Sequence, residues 1–182
     1  MTPTIRDIAY QLRQGQLIAL ADETGWSVAA DPTNNAAVEK LLTLSASMPQ
    51  GLQPVILIQN TDQLGLYVTK VPDVAYDLVE FAENPLTVVY DQGKNISVVF
   101  WQSSEPSATT GVVAVRRVLH EEVQRLIGSF GRGLLTIPFE SLVLTPVAES
   151  FVEGRFGTLP AMPKRPRIMR LGTDGTVSFI RK

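Results

Sequence analysis

The sequence predicts an α/β fold of the α+β type, in which helices pack on a twisted, open sheet of mixed parallel and antiparallel strands. Three observations lead to this prediction. Helical and strand-like segments alternate early in the chain, and strand-like segments cluster in the middle and at the end. The longest apolar runs, such as Val55–Ile58, have the length of buried strands. The 182 residues suit one compact domain, so a single domain over residues 1–182 is predicted.

The elements of the first half are defined by capping residues and by apolar spacing. Each predicted helix starts at a capping residue or a proline and carries an apolar face at helical spacing. These helices run from Thr4 to Gly15, from Asn34 or Asn35 to about Leu44, and from Pro72 to about Glu83. The apolar runs Leu17–Ala21 and Val55–Ile58 are predicted to be buried strands, and the segment Asp22–Asp31 a polar connection.

The second half is predicted to be richer in strands. Its apolar and β-branched runs predict six of them, at Leu86–Tyr90, Ile96–Trp101, Val112–Val115, Leu134–Ile137, Arg167–Leu171 and Thr176–Ile180. Helical spacing predicts helices over Glu121–Phe130 and over residues 146–156. The last two strands are joined by Thr173-Asp174-Gly175, and Asp-Gly is a strong hairpin signal.

Composition excludes several kinds of site. The chain has no cysteine and one histidine, which excludes disulfides, thiolate metal sites, a cysteine nucleophile and any multi-histidine metal site. No metal site is therefore predicted. Neither a glycine-rich phosphate loop nor a nucleophile elbow is present. His120 lies beside Glu121 and Glu122 just before a predicted helix, where a helix-start or surface role is favoured over catalysis.

The net charge of −2 hides an asymmetry along the chain. Residues 1–153 hold 9 Lys or Arg and 17 Asp or Glu, a balance of −8. Residues 154–182 hold one acid and 7 bases, namely Arg155, Lys164, Arg165, Arg167, Arg170, Arg181 and Lys182. Such a basic end indicates either an anion-binding face or a solvated tail.

The N-terminal segment lacks the apolar stretch of a targeting signal, and every apolar run is far shorter than a membrane span. A cytoplasmic protein with no membrane partner is therefore expected.

Two polar clusters follow predicted strands. Asp22-Glu23-Thr24, with Trp26 nearby, comes just after the first strand, where open α/β sheets often bind ligands. Arg116 and Arg117 end another strand, where paired arginines can grip a phosphate or a carboxylate. The alternatives are an ordinary loop for the first cluster and a surface pair near Glu121 and Glu122 for the second.

Several short strings resemble motifs of the YrdC-like family. Residues 21–28, Ala-Asp-Glu-Thr-Gly-Trp-Ser-Val, resemble its P-T-D-T-x-Y-G-L motif, with Thr24 matched, Glu23 in place of Asp and Trp26 keeping an aromatic ring. Residues 82–87 keep the second half of W-P-G-P-L-T, which includes Thr87, and residues 113–118 keep the arginine of V-A-V-R-x-P as Arg116. The resemblance spans about residues 4 to 182.

Other family positions are altered. The K-x-R motif aligns with Ser45-Ala46-Ser47, so both cations are lost. No S-x-N is found near residues 136–140. The closing I-x-R resembles residues 179–181 and ends in Arg181.

The resemblance implies a threonylcarbamoyl-AMP synthase of the tRNA threonylcarbamoyl-adenosine pathway, which uses L-threonine, bicarbonate and ATP with Mg²⁺, none held as a tightly bound cofactor. It also implies a large cavity and double-stranded RNA binding. The implied pocket residues are Glu23, Thr24, Trp26, Ser45, Ser47, Thr87, Arg116 and Arg181. Each lost contact to the transition state typically costs about 10²–10³ in rate, so weak catalysis is expected.

The alternative is a YrdC-like module without catalysis that binds RNA or acts as a scaffold, as a monomer or a weak homodimer. The residues predicted to face RNA or another anion are Arg155, Lys164, Arg165, Arg167 and Arg170. Pro160, Pro163 and Pro166 favour an extended surface path for this segment, so an RNA-facing edge is favoured over a source of replacement cations for the pocket.

Overall fold

The structure is a computed structural model that describes residues 3–48 and 53–182. Within these ranges the helices are α1 (Ile5–Arg13), α2 (Asn35–Ala46), α3 (Leu64–Tyr67), α4 (Asp73–Glu80), α5 (Val98–Gln102), α6 (Glu121–Phe130) and α7 (Pro146–Phe151). The strands are β1 (Ile18–Asp22), β2 (Gly25–Ala30), β3 (Val55–Ile58), β4 (Leu86–Tyr90), β5 (Val113–Arg117), β6 (Leu134–Pro138), β7 (Gly154–Gly157), β8 (Arg167–Leu171) and β9 (Val177–Arg181).

These strands form one open sheet in the order β7-β1-β2-β6-β3-β5-β4-β8-β9. The pairs β1–β7, β3–β5 and β4–β8 are parallel, and the other neighbours are antiparallel. The predicted mixed sheet with flanking helices is thereby confirmed.

Two apolar layers cover the two faces of the sheet. Successive strand residues point to opposite faces, so Leu17 and Ala19 join one layer while Ile18 and Leu20 join the other. Helices α2, α3, α4, α5 and α7 contribute to the first layer, and α1 and α6 contribute to the second. Helices therefore pack on both faces of the sheet.

The predicted start of α1 is confirmed as a capping box. The Asp7 N–H donates to Thr4 Oγ1 at 3.1 Å, and the Thr4 N–H donates to the Asp7 carboxylate at 3.2 Å. The side-chain and backbone hydrogen bonds from Thr4 lower the pKa of Asp7. The box therefore fixes the register in which Ile8, Ala9 and Leu12 face the sheet.

The prediction of a polar connection over Asp22–Asp31 is wrong, because most of it forms β2. Strand β1 continues to Asp22 and turns back through Glu23 and Thr24, and Gly25 takes a positive φ of 98° that allows the tight reversal. All of β2 except Trp26 is buried between β1 and β6. Its small side chains suit this position, but they lack the long apolar run that marks a strand in sequence.

The prediction of a strand over Ile96–Trp101 is also wrong. The Ser97 hydroxyl accepts the Val99 N–H and caps α5, whose Trp101 is buried against α2 and its neighbours. The β-branched residues of this segment favour a strand locally, and tertiary packing overrides that preference. Likewise, the helix predicted over residues 146–156 ends at Phe151, and Gly154–Gly157 becomes the edge strand β7. Gly154 and Gly157 weaken a helix and permit close approach to β1.

Helix α3 and the 3₁₀ turn Thr61–Gln63 before it are features that the sequence did not predict. They bring Tyr67 into the core, where its hydroxyl accepts the Gly133 N–H at 2.8 Å. This bond satisfies a backbone donor just ahead of β6.

Replacing Tyr67 by phenylalanine is expected to cost about 1–3 kcal/mol of stability, because the buried Gly133 N–H loses its acceptor. Urea unfolding measures this cost, and Tyr10→Phe at an exposed site should change stability by less than about 0.5 kcal/mol. Equal losses in the two variants would contradict this role of Tyr67.

The stability should also depend on pH through the Tyr67 hydroxyl. Burial raises the pKa of Tyr67 to about 12, against an ordinary 10.0. Because the native state then holds this proton more tightly than the unfolded chain, the contribution of Tyr67 to the free energy of unfolding is complete below pH 10.0 and declines as the pH rises toward 12.

Candidate functional site

A cavity of about 450 Å³ lies against the middle of the sheet, on the face that α1 and α6 also cover. Strands β3, β4, β5, β6, β8 and β9 all contribute to its wall. This volume falls within the range of small-molecule sites in proteins. We call it the central cavity.

The wall of the central cavity is mostly aliphatic. Its apolar residues are Val55, Val89, Val112, Ala114, Pro138, Pro166, Ile168 and Ile180, and its polar residues are Thr24, Gln53, Thr87, Arg116, Thr136, Glu140 and Arg170. Two of the threonine hydroxyls already donate within the protein, Thr24 to Asp22 and Thr136 to the Val55 carbonyl. They keep lone pairs for a ligand, whereas the guanidinium groups and Gln53 supply donors.

Arg116 is the central charged group of this wall. Its side chain is 3% exposed, and its guanidinium donates to Asp22 Oδ2 at 2.8 Å and to Glu23 Oε2 at 3.2 Å. Burial alone would lower the pKa of Arg116, but the charges of Asp22 and Glu23 outweigh it and raise that pKa. Arg116 is therefore a fixed cation with two carboxylates beside it.

The two carboxylates are held in place by the backbone. Asp22 Oδ1 accepts the N–H and the hydroxyl of Thr24, which closes the turn between β1 and β2. Glu23 accepts the N–H groups of Leu119 and His120, just ahead of α6. Because these hydrogen bonds occupy most of the lone pairs of the carboxylate oxygens, the carboxylates orient Arg116 and are poorly placed to bind a ligand. The guanidinium has five N–H donors, so some remain for a ligand.

The arginine that also lines the cavity, Arg170, and the nearby Arg181 are paired as well. Arg170 donates to Asp91, whose pKa is lowered by that hydrogen bond and by one from the Thr173 N–H. Arg181 donates to Glu140 at 2.6 Å. The arginines Arg116, Arg170 and Arg181 are thus matched by Asp22, Glu23, Asp91 and Glu140. A phosphate that approaches any of these cations would therefore meet a carboxylate beside it.

The structure brings together three of the eight predicted pocket residues at the central cavity, namely Thr24, Thr87 and Arg116. Glu23 pairs with Arg116 but does not line the central cavity, and Arg181 lies beyond Glu140 in a smaller pocket.

The remaining three lie away from the central cavity. Ser45 lines a separate groove, and the Ser47 hydroxyl donates to the Leu44 carbonyl at the end of α2. The Trp26 ring donates its N–H to the Leu142 carbonyl and packs under Arg155. The two serines therefore neither line this cavity nor replace the missing cations.

The basic residues of the C-terminal segment lie in several different environments. Arg155 pairs with Glu149 at 2.7 Å, and Arg167 stacks on Phe179 with its guanidinium carbon 4.8 Å from the ring centre. Arg167 and Arg170 lie on opposite faces of β8, as the strand period predicts, and Arg170 alone of the two lines the cavity. Lys164 and Arg165 lie beside Glu140.

Sequence reasoning missed Glu140 and Thr136 and gave Asp22 no place among the pocket residues. Asp22 had a signal, because it belongs to the polar cluster that follows the first strand. Glu140 had none, since its partner Arg181 lies 41 residues away.

The described residues contain no group of three or more His, Cys, Asp or Glu that could hold a metal ion. Among the same residues, no helix combines the length and apolar character needed to cross a bilayer.

Comparison with known proteins decides the family. The Sua5/YciO/YrdC family model, described as "Telomere recombination", matches residues 10–145. The chain belongs to the Sua5/YciO/YrdC family.

Curated relatives within this family support the assignment. The chain is 32% identical over 132 residues to a threonylcarbamoyl-AMP synthase of Pseudoalteromonas translucida, a match that covers 69% of this chain and 65% of the relative. It is 26% identical over 185 residues to the synthase of Halorhodospira halophila, covering 94% of this chain and 91% of that protein. The first match therefore spans slightly less than two thirds of the relative's own length.

Solved structures share the Sua5/YciO/YrdC fold. P. abyssi Sua5, in a crystal structure with L-threonine, superposes with a TM-score of 0.72 at 23% identity, over 97% of this chain and 53% of Sua5. E. coli YciO superposes with a TM-score of 0.70 at 16% identity, over 100% of this chain and 91% of YciO. Identities this low support the fold alone.

Proposed function

We propose that this member of the Sua5/YciO/YrdC family binds L-threonine or a closely related amino acid in the central cavity, with little ATP-dependent synthesis of threonylcarbamoyl-AMP. The observation that carries the proposal is Arg116, a buried cation on the cavity wall that keeps free N–H donors. An amino-acid carboxylate is a suitable acceptor for those donors.

The rest of the wall suits the same ligand. Thr24 and Thr136 offer hydroxyl lone pairs to an ammonium or hydroxyl group, and Thr87 offers a hydroxyl from β4. The aliphatic residues exclude water around a small side chain, which strengthens polar contacts made inside the cavity. P. abyssi Sua5, which shares the fold, has been crystallised with L-threonine.

ATP fits the cavity less well. The synthase reaction develops charge on phosphates, and cations that offset this charge lower the barrier. Both cations of K-x-R are absent here, and Arg116 and Arg170 each have a carboxylate beside them, which repels a polyphosphate more strongly than the single carboxylate of an amino acid. Mg²⁺ would enter together with the nucleotide. The loss of these cations therefore favours a binding protein over an efficient synthase.

RNA binding through the basic segment stays a prediction with less support. Arg155, Arg170 and Arg181 have close carboxylate partners, and Arg165 lies 3.9 Å from Glu140 but is 73% exposed. The candidates for contacts with phosphates are therefore Lys164, Arg165 and Arg167. Binding of double-stranded RNA that weakens steeply with added salt would support this role. A cytoplasmic location and a monomeric or weakly dimeric state likewise remain predictions.

Thermal unfolding with each ligand tests the proposal. At ten times its dissociation constant, L-threonine is expected to add about 1.4 kcal/mol, which raises Tm by about 3–6 °C. Ser47→Ala lies outside the cavity and should show the same shift. ATP with Mg²⁺ should shift Tm little. The absence of any shift with L-threonine and related amino acids would contradict the proposal.

A synthesis assay addresses catalysis. With L-threonine, bicarbonate and ATP, the rate of threonylcarbamoyl-AMP formation is expected to be at least about 10³-fold below that of the Halorhodospira halophila synthase measured in parallel. Comparable rates would show that other groups replace the missing cations.

A further inference from the structure

A second, smaller pocket adjoins the central cavity on the far side of Glu140. It has a volume of about 360 Å³ and is lined by Phe139, Glu140, Pro163, Lys164, Arg165 and Arg181. Glu140 lines both this outer pocket and the central cavity. Three of the residues that line the outer pocket are cations and one is an acid, a composition suited to an anion.

Glu140 places its own carboxylate in the outer pocket. Its Oε2 accepts Arg181 Nη2 at 2.6 Å, and its Oε1 lies 3.9 Å from Arg165 Nε. The glutamate side chain is 15% exposed and that of Arg181 is 16% exposed, so the pair is largely desolvated. Contacts of this kind, between a guanidinium and an oxyanion, are the ones a phosphate would make.

The backbone around Glu140 and Lys164 holds this arrangement. Glu140 has a φ of 52°, an unfavourable conformation for a residue with a long side chain. The Lys164 N–H donates to the Glu23 carbonyl at 2.9 Å, which anchors the basic segment beside the Arg116 cluster. Arg181 also donates to the Pro166 carbonyl, so it remains in place when Glu140 changes.

We infer that Glu140 is a specificity-determining residue: its carboxylate fills the anion pocket formed by Lys164, Arg165 and Arg181 and thereby reserves the central cavity for ligands without a phosphate. This inference rests on the proposed function, because it concerns the ligand of the same cavity. Its physical basis is competition between two anions for the same donors. A phosphate must either displace Glu140 from Arg181 or approach it against like-charge repulsion.

Removing the carboxylate should create affinity for phosphates. Calorimetric titration with inorganic pyrophosphate and with ATP is performed on the wild-type protein and on Glu140→Gln. The variant is expected to bind both at least about tenfold more tightly, since charge-assisted hydrogen bonds to Arg181 become available. The gain should shrink as salt is added.

Matched variants separate this mechanism from a general change in charge. Glu149→Gln frees Arg155 from a pair of similar length away from the cavity and should give no gain. Adding Arg181→Gln to Glu140→Gln should remove the gain. Glu140→Asn tolerates the positive φ better and repeats the test with the backbone unstrained. Circular dichroism checks that each variant is folded.

The outcomes are distinguishable. If folded Glu140→Gln and Glu140→Asn bind pyrophosphate no more tightly than the wild type, the inference is wrong, and it is equally wrong if Glu149→Gln shows the same gain. If L-threonine binds neither wild type nor variant, the proposed function fails, and the pyrophosphate comparison still decides the role of Glu140.

Discussion

Replacing Arg116 by methionine is expected to lower the free energy of unfolding by about 3–5 kcal/mol, because it leaves buried Asp22 and Glu23 without their cation. Asp22 is fully buried and Glu23 is 11% exposed, so water cannot take the place of the guanidinium. Methionine keeps much of the aliphatic volume of arginine, which separates the loss of charge from the loss of packing. The same change should abolish binding of L-threonine.

Arg125→Met is the matched control for this variant. Arg125 pairs with Glu121 at 3.0 Å on the solvent face of α6, where both side chains are more than half exposed. Such pairs contribute about 0.3–0.5 kcal/mol. Denaturant unfolding of the two variants should therefore differ severalfold. A similar small loss in both would show that the carboxylates at Arg116 do not depend on it.

Replacing Gly157 by alanine is expected to lower stability by about 2–5 kcal/mol, from strain at a positive φ and from overlap with β1. Gly157 has a φ of 96°, and a Cβ there would lie 2.1 Å from the Ala21 carbonyl oxygen. That carbonyl belongs to backbone and cannot rotate away. Because Ala21 precedes Asp22, a shift of β1 would also move the carboxylate that holds Arg116, and L-threonine affinity should fall.

Gly131→Ala separates the two contributions to this loss. Gly131 has nearly the same φ, 92°, and a Cβ there would meet no atom of the described residues within 4 Å. It should cost only the conformational part, about 1–2 kcal/mol, and leave ligand binding unchanged. Equal losses for the two alanine variants in urea unfolding would contradict the steric argument.

Most of the sheet could be predicted from sequence, because buried strands such as Val55–Ile58 and capped helices such as α1 carry strong local signals. The failures occur where tertiary contacts outweigh local preference. The β-branched segment before Trp101 forms a helix because the ring packs into the core, and β7 forms because β1 offers it a partner. Neither contact can be inferred from the local sequence.

The site could be predicted only in part for a related reason. Thr24 and Arg116 belong to short sequence segments that match the family motifs, and both line the cavity. The serines of the altered K-x-R motif do not line it. The expected path of the basic segment away from the pocket is wrong from Pro166 onward, because Pro166, Ile168 and Arg170 line the cavity. Glu140 meets Arg181 through long-range folding that no short motif encodes.

The proposed amino-acid site is the cavity beside Arg116. A crystal structure of the wild-type protein grown with saturating L-threonine would show directly whether the ligand binds there. We expect the amino acid in the central cavity, with its carboxylate within hydrogen-bond distance of the Arg116 guanidinium and with the Asp22 and Glu23 pairs intact. A cavity without threonine at saturating ligand, or threonine bound elsewhere on the protein, would contradict the account.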